Sequence, residues 1–143
     1  CRVRFGPFDG GKRRMNLVVI GIGSNIRPEA NIARAWEMIT RSQSVLRESP
    51  FVETYPVGYK NQPNFINGAI LIETGLDPTK LKELLIGIEH DLGRNRRVPK
   101  DCPRTIDLDI VIWNGTVDDD VRQRDFLRDA VREVLPELII SPP

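Results

Sequence analysis

The alternation of apolar and polar residues predicts a strand and then a helix where periodic sequence begins. Residues 17–22 (LVVIGI) are apolar and rich in β-branched side chains, which is typical of a strand buried on both faces. The strand ends at Gly23-Ser24-Asn25, and Pro28 begins a helix that we expect to reach about Arg41. Apolar residues recur in this helix at i, i+3, i+4 and i+7, which predicts one buried stripe of Ile32, Ala35, Trp36 and Ile39.

Three further extended segments and two further helices follow. The extended segments are predicted at residues 45–54, 65–73 and 105–113. Asp77 as N-cap and Pro78 at the first helical position begin the second helix, and Gly93 ends it. A final helix is expected from about residue 120 to 135. The shared face of the second helix is predicted to contain Leu81, Leu84, Leu85, Ile88 and Leu92.

The predicted element order is β-α-β-β-α-β followed by a terminal helix. This order predicts an α+β fold of the ferredoxin-like type, with a mostly antiparallel sheet, flanking helices and a C-terminal helix. We expect residues 15–143 to form a single domain and residues 1–14 to form a flexible N-terminal tail. GPFDGGK in the tail matches a P-loop up to Lys12. However, Arg13 occupies its Ser/Thr position and no strand precedes it, so we interpret the match as coincidental.

Composition restricts the classes of function. The 143 residues carry a net charge of +1, with 40% hydrophobic and 29% charged residues, which favours a globular domain without an overall attraction to nucleic acid or membrane. His90 is the only histidine in the sequence, which argues against a histidine-rich zinc site or a Ser-His-Asp triad. Cys1 and Cys102 lack CxxC spacing, and we find no secretory signal or membrane-spanning run, so we expect a cytoplasmic location.

The strand predicted at residues 105–113 carries two carboxylates on one face. Because side chains alternate along a strand, those expected to face the core are Ile106, Leu108, Ile110 and Ile112. Thr105, Asp107 and Asp109 then face the opposite side, with the two aspartates roughly 7 Å apart. Such a pair suits Mg²⁺, which binds one or two carboxylates together with substrate phosphates. Two ordinary aspartates on a solvent-facing strand are the alternative.

The loop before this strand is strongly basic. Its cations, which outnumber the single carboxylate of Asp101, are Arg94, Arg96, Arg97, Lys100 and Arg104. Arginine binds phosphate oxygens in a bidentate manner, so a basic cluster beside a carboxylate pair predicts a nucleotide polyphosphate site. A solvated basic loop is the alternative for this segment taken by itself.

A third candidate element lies in residues 54–67 (TYPVGYKNQPNFIN). Phe65 can stack on a flat heterocycle, and Asn67, two residues later on the same strand face, can donate to and accept from a ring edge. The alternative is that Phe65 belongs to the core and that Asn67 is a turn residue at the strand end.

Together these motifs resemble the 6-hydroxymethyl-7,8-dihydropterin pyrophosphokinase family of the folate pathway, over most of residues 17–138. Residues 103–110 (PRTIDLDI) resemble its signature PRTxDLDI, and Thr54-x-Pro56-x-Gly58 with residues 62–67 resembles its pterin-side loop and strand. The other matching positions are Gly23-Ser24-Asn25, Glu89, Gly93-Arg94, Arg96, Arg124-x-Phe126 and Pro136-Glu137-Leu138.

The resemblance implies a reaction and a role for each matching residue. The implied reaction transfers pyrophosphate from ATP to the hydroxymethyl group of the pterin and releases AMP, with two Mg²⁺ ions held by Asp107 and Asp109. The implied catalytic residues are Arg94, Arg96, Arg104, Asp107 and Asp109. The implied substrate-binding residues are Thr54, Pro56, Val57, Phe65, Asn67 and Phe126, with the two phenylalanines stacking on the pterin. The nucleotide-binding residues are expected to be Glu89, Arg94, Lys100, Arg104, Arg122 and Arg124.

Two departures from the family pattern keep an alternative open. Residues 114–123 are shorter than the usual segment and lack its Pro-His pair, and Asp101 stands where an aromatic residue is common. The alternative is a divergent, non-catalytic homologue that binds pterin or nucleotide. RNA binding through the sheet is a third hypothesis, which the absence of an RNP-type aromatic pattern disfavours. We expect a monomer whose partners are small molecules, with no nucleic acid and no membrane.

Overall fold

A computed structural model describes residues 15–56, 61–93 and 105–138. The predictions for residues 1–14 and for the basic loop at 94–104 lie outside these ranges. In chain order the elements are β1 (Asn16–Ser24), α1 (Pro28–Thr40), β2 (Ser44–Glu48), β3 (Val52–Thr54), β4 (Phe65–Thr74), α2 (Pro78–Asp91), β5 (Asp107–Trp113), β6 (Thr116–Val117), α3 (Asp119–Gln123) and α4 (Asp125–Val134).

The strands form one antiparallel sheet with β1 at its centre. The strand order is β2-β4-β1-β5-β6, and β3 pairs with the part of β4 that β2 leaves uncovered. β1 is antiparallel to β4 on one side and to β5 on the other. The predicted α+β class with a mostly antiparallel sheet is therefore confirmed.

Helices cover both faces of this sheet. On one face, α1 and α2 enclose a core that contains Val18, Ile20, Ile22, Ala35, Ile39, Ile70, Ile72, Leu81, Leu85 and Ile88. On the other face, α3 and α4 pack on a second core that contains Val19, Ala69, Leu71, Val111, Ile112, Val121, Leu127, Val131 and Val134. Because both faces of β1 are covered, its apolar residues need no polar alternation, which explains the continuous apolar run in the sequence.

The ends of α2 agree with the sequence prediction. The Asp77 carboxylate accepts a hydrogen bond from the backbone N–H of Lys80 at 2.8 Å, and Pro78 begins the helix. Gly93, just beyond the helix, has φ of 90°. This left-handed conformation favours glycine, so Gly93 ends α2 as predicted.

The structure corrects three details of the predicted elements. Trp36 is 40% exposed because it lies at the margin of the α1 stripe, whereas Ala35 and Ile39 are buried. Ile112 packs against the α4 face because the β1–β5 register shifts next to it and reverses the side-chain alternation. The predicted final helix is two helices, because Arg124 adopts extended backbone angles between α3 and α4.

Candidate active site

Glycines of β1 form the floor of the candidate site. In the register of the sheet, Gly23 lies opposite Asn67 of β4 on one side and opposite Asp107 of β5 on the other. One row further along, Gly21 lies between Ala69 and Asp109. Neighbouring strands are about 4.8 Å apart, so the Cα atoms of Asn67 and Asp107 are separated by roughly 10 Å. No side chain rises from β1 between them.

The side-chain amide of Asn67 lies directly over Gly23. A Cβ atom added to Gly23 would overlap the Asn67 Oδ1 atom, whereas a Cβ atom added to Gly21 would lie 3.5 Å from the nearest side-chain atoms, which is an ordinary contact. Asn67 Nδ2 donates a hydrogen bond to Thr54 Oγ1 of β3 at 2.5 Å. Thr54 thus orients the amide, and Gly23 provides the space for its oxygen.

The pocket above this floor is bordered by the two helices that follow β6. It has a volume of about 50 Å³, and its side-chain lining includes Asn67, Asp107, Asp109, Val111, Asp120, Arg124, Phe126 and Leu127. Small-molecule sites are usually roughly 300–1,000 Å³. The described residues therefore enclose only part of a site of that size.

The predicted substrate-binding residues are only partly brought together. Asn67 and Phe126 line the same pocket, and Thr54 contacts Asn67. Phe65 lies on the same face of β4 as Asn67 and is 7% exposed. Pro56 is half-buried at the end of a described range, and Val57 lies outside it.

The turn after β1 connects the two segments that lead into β4 and β5. The Ser24 hydroxyl donates to the carbonyl of Thr105 at 2.6 Å. Asn25 Nδ2 donates to Gln62 Oε1 at 2.7 Å and to the carbonyl of Pro63 at 3.0 Å. Sequence reasoning treated Ser24 and Asn25 only as the end of a strand. Two adjacent small polar residues after a fully buried strand were the available signal for this connection.

The three consecutive aspartates after β6 have different surroundings. Asp118 caps α3 by accepting from the backbone N–H of Asp120 at 2.9 Å. Asp119 forms an ion pair with Arg122 at 3.3 Å. Asp120 and Arg124 line the pocket, and the nucleotide-binding role predicted for Arg124 stays a prediction. Four predicted phosphate contacts lie outside the described residues, namely Arg94, Arg96, Lys100 and Arg104.

Glu89 is buried between α2 and β5. It is only 1% exposed, and its Oε2 atom accepts a hydrogen bond from the backbone N–H of Leu108 at 2.8 Å. Glu89 thus forms a contact between α2 and β5, and its predicted nucleotide-binding role stays a prediction.

The donor set of the pocket fits a metal ion that is shared with a phosphate ligand. Asp107 and Asp109 both line the pocket, with Asp107 half-buried and Asp109 exposed. Within the described ranges, no group of three His, Cys, Asp or Glu residues is arranged to hold an ion. Mg²⁺ is commonly bound by one or two carboxylates, with substrate phosphates and water completing its shell. Two aspartates are sufficient for that mode of binding.

The fold and the site together define a class of protein: an α+β domain with a carboxylate pair and a fixed amide on one sheet face. Residues 19–136 match the profile of 7,8-dihydro-6-hydroxymethylpterin-pyrophosphokinase (HPPK). The chain belongs to this family, which confirms the resemblance seen in the sequence. No helix among the described residues has the length and apolar character needed to cross a membrane.

Named relatives support the family assignment. The chain is 40% identical over 102 residues to the 2-amino-4-hydroxy-6-hydroxymethyldihydropteridine pyrophosphokinase of Bacillus subtilis, a match that covers 69% of this chain and 60% of that protein. The protein of the same name from Helicobacter pylori is 35% identical over 78% of this chain and 69% of its own length. That from Methylorubrum extorquens is 34% identical over 89% of this chain and 87% of its own length. The folic acid synthesis protein fol1 of Schizosaccharomyces pombe is 33% identical over 86% of the chain and 18% of its own length.

The two floor glycines lead to a matched prediction. Gly23→Ala should lower the free energy of unfolding by about 1–3 kcal/mol and displace the Asn67 amide, because the new methyl group overlaps Oδ1. Gly21→Ala should change stability by less than about 1 kcal/mol, because its methyl group meets only ordinary contacts. Urea unfolding and the NMR signals of the Asn67 side-chain amide measure both effects. Equal tolerance of the two substitutions would contradict the proposed position of Asn67.

Proposed function

We propose that this chain transfers the pyrophosphoryl group of ATP to 6-hydroxymethyl-7,8-dihydropterin and releases AMP, in a reaction that requires Mg²⁺. Family membership supports the type of reaction. The observation that carries the proposal is the row Asn67–Gly23–Asp107, in which an oriented amide and a carboxylate flank a floor without side chains. A flat heterocycle beside Asn67 and a phosphate chain beside Asp107 would then lie next to each other.

The pterin side of this row supplies recognition. Asn67 Nδ2 is engaged by Thr54, and Oδ1 lies over the floor, where it can accept a hydrogen bond from a ring N–H. Phe126 borders the same pocket and can stack on one face of the ring. Phe65, on the Asn67 side of β4, is the expected partner on the other face, and Pro56 and Val57 are expected to complete the loop at its edge.

The phosphate side of the row supplies positioning and charge. Asp107 and Asp109 would hold the Mg²⁺ ions, two in number, which neutralise charge on the ATP phosphates when they are bound. Arg124 borders the pocket and can bind a phosphate oxygen, as expected also of Arg94, Arg96, Lys100 and Arg104 in the basic loop.

The bond changes in the proposed reaction are simple. The hydroxymethyl oxygen of the pterin forms a bond to the β-phosphorus of ATP and loses its proton. The bond between that phosphorus and the oxygen bridging to the α-phosphate breaks, and AMP leaves with the electron pair. Because such a displacement requires an in-line arrangement, the protein contributes chiefly by holding the two substrates side by side.

A non-catalytic homologue that binds pterin or nucleotide is the second candidate. The observation that favours this candidate is the position of Asp120. Its carboxylate is the third one that lines the pocket, and it would repel the phosphates. Such a protein would bind pterin through Asn67 without producing AMP.

The direct test measures AMP formation by the full chain from ATP and Mg²⁺, with and without 6-hydroxymethyl-7,8-dihydropterin. We expect AMP to appear in proportion to pterin consumed and to disappear when EDTA removes the divalent cation. Pterin binding by calorimetry without any AMP would favour the non-catalytic candidate. Formation of ADP instead of AMP would contradict pyrophosphoryl transfer.

The aspartate pair gives a prediction about turnover. Asp107→Asn and Asp109→Asn should each lower kcat by roughly 10²–10³-fold, because each removes a carboxylate that would hold the metal ion on the ATP phosphates. The fold should persist, since both side chains lie outside the two apolar cores. Asp129→Asn on the exposed face of α4 is the matched control and should leave kcat unchanged. Normal turnover in both pair variants would contradict the metal assignment.

The oriented amide gives a prediction about pterin affinity. Asn67→Ala should weaken pterin binding by about 10- to 100-fold, which corresponds to the loss of a buried hydrogen bond of about 1–3 kcal/mol. Thr54→Val should weaken it by about tenfold or less, because it removes only the group that orients the amide. Asn64→Ala, which removes an exposed amide bonded to Glu53, is the control. Calorimetric titration with the pterin distinguishes these cases, and equal affinities would exclude Asn67 from the site.

A further inference from the structure

Glu89 is an ionisable side chain inside an otherwise apolar core. It lies on the buried face of α2 beside Leu85 and Ile88, and it is only 1% exposed. Burial of a carboxylate is unfavourable unless hydrogen bonds replace its hydration. The 2.8 Å hydrogen bond from the Leu108 backbone N–H to Glu89 Oε2 is one such replacement, and it is itself buried.

The position of this hydrogen bond along β5 links Glu89 to the aspartate pair. Leu108 stands between Asp107 and Asp109, at a point where β5 pairs with β1 on one side. On its other side β5 pairs with β6 only at Ile112 and Trp113. Around Leu108, therefore, no strand of the described ranges pairs with this edge of β5. The Glu89 carboxylate accepts the backbone hydrogen bond that a neighbouring strand would otherwise accept.

The alternation of hydrogen bonds in an antiparallel ladder gives this contact a consequence for the site. The N–H of Leu108 points away from β1 towards Glu89, so the backbone groups of Asp107 and Asp109 point towards β1. The two aspartates are thus held by β1 on one side, and the residue between them is held by α2 on the other. Their side chains emerge on the opposite face of the sheet from the α2 core.

We propose that Glu89 is a positioning residue for the Asp107–Asp109 pair, acting through the backbone of Leu108 and without contacting either substrate. The inference rests on the proposed function, in which this pair binds the divalent cation that accompanies ATP. The side-chain oxygen of Glu89 suits this position because it accepts the hydrogen bond that a neighbouring strand would otherwise accept. Glu89 thereby links the α1–α2 core to the position of the aspartate pair on the other face of the sheet.

The test compares Glu89→Ala and Glu89→Gln with a control at the distant end of the sheet. Glu89→Ala leaves the Leu108 N–H without its acceptor, whereas Glu89→Gln retains an amide oxygen of similar reach. The control is Thr74→Val, since Thr74 is also buried and its hydroxyl also accepts from a backbone N–H, that of Leu76. Mn²⁺ binding in the presence of a non-hydrolysable ATP analogue, followed by EPR, gives a readout that does not depend on turnover.

We expect Glu89→Ala to weaken Mn²⁺ binding by about 10- to 100-fold, as substitutions behind metal ligands commonly do. Amide hydrogen exchange at Asp107–Asp109 should accelerate in the same variant, pterin affinity should be unchanged, and Glu89→Gln should recover most of the Mn²⁺ affinity. Thr74→Val should change none of these quantities, even if it lowers the free energy of unfolding as much as Glu89→Ala does.

Two results would overturn the proposal, and they can be told apart from failure of the proposed function. Unchanged Mn²⁺ affinity in Glu89→Ala would overturn it directly. Parallel weakening of Mn²⁺ and pterin binding in Glu89→Ala would reveal a general loss of structure and overturn it as well. Failure of the proposed function appears instead in the wild-type chain. If that chain binds Mn²⁺ but forms no AMP, the proposed function fails and the Glu89 comparison stays valid. If it binds no Mn²⁺, the proposed function and the role of Glu89 are both overturned.

Discussion

The antiparallel pairing of β1 with β4 and β5 is the constraint on which the rest of the structure depends. It sets Asn67 and Asp107 opposite the same residue, Gly23, and thereby determines the spacing of the two halves of the site. A slip of one residue in either ladder would turn Asn67 or the aspartate pair towards the α1–α2 core. Such a slip is costly, because Ile70 and Ile72 of β4 or Leu108 of β5 would lose their buried positions in that core. The core therefore stabilises the register that the site requires.

The site occupies the part of the second sheet face where side chains are small. Towards one end of the sheet, Ala69, Leu71 and Val111 pack under α4. Towards the other end, the glycines of β1 leave a space that the helices border and do not fill. The register shift beside Val111 turns Ile112 towards α4 as well, which adds apolar surface to the packed half. One sheet face is thus divided into a region that stabilises the fold and a region that can receive ligands.

Sequence patterns predicted those features that depend on local geometry. The period of two placed Asp107 and Asp109 on one face, and the Asp77-Pro78 pair located the start of α2, because both effects act within a few residues. The Ile112 reversal, the Glu89–Leu108 contact and the contacts of Ser24 and Asn25 escaped prediction, because each depends on which distant segment lies alongside. From the sequence alone, a glutamate on a helix is expected on the polar face of that helix. Only the residues packed around it in the folded protein show that it is buried. The basic loop at residues 94–104 remains a prediction.

Under the proposed function, the charges around the pocket suit a nucleotide that arrives with its cation. Asp107, Asp109 and Asp120 all border the pocket, with Arg124 as the cation among the described lining residues. Asp120 lies on α3, apart from the pair on β5, and within the described ranges no three carboxylates are arranged to hold one ion. Free ATP would meet net repulsion from these carboxylates, whereas its Mg²⁺ complex carries positive charge to them. The aspartate run after β6 is therefore compatible with phosphate binding, provided that the metal and the basic loop contribute the balancing charge.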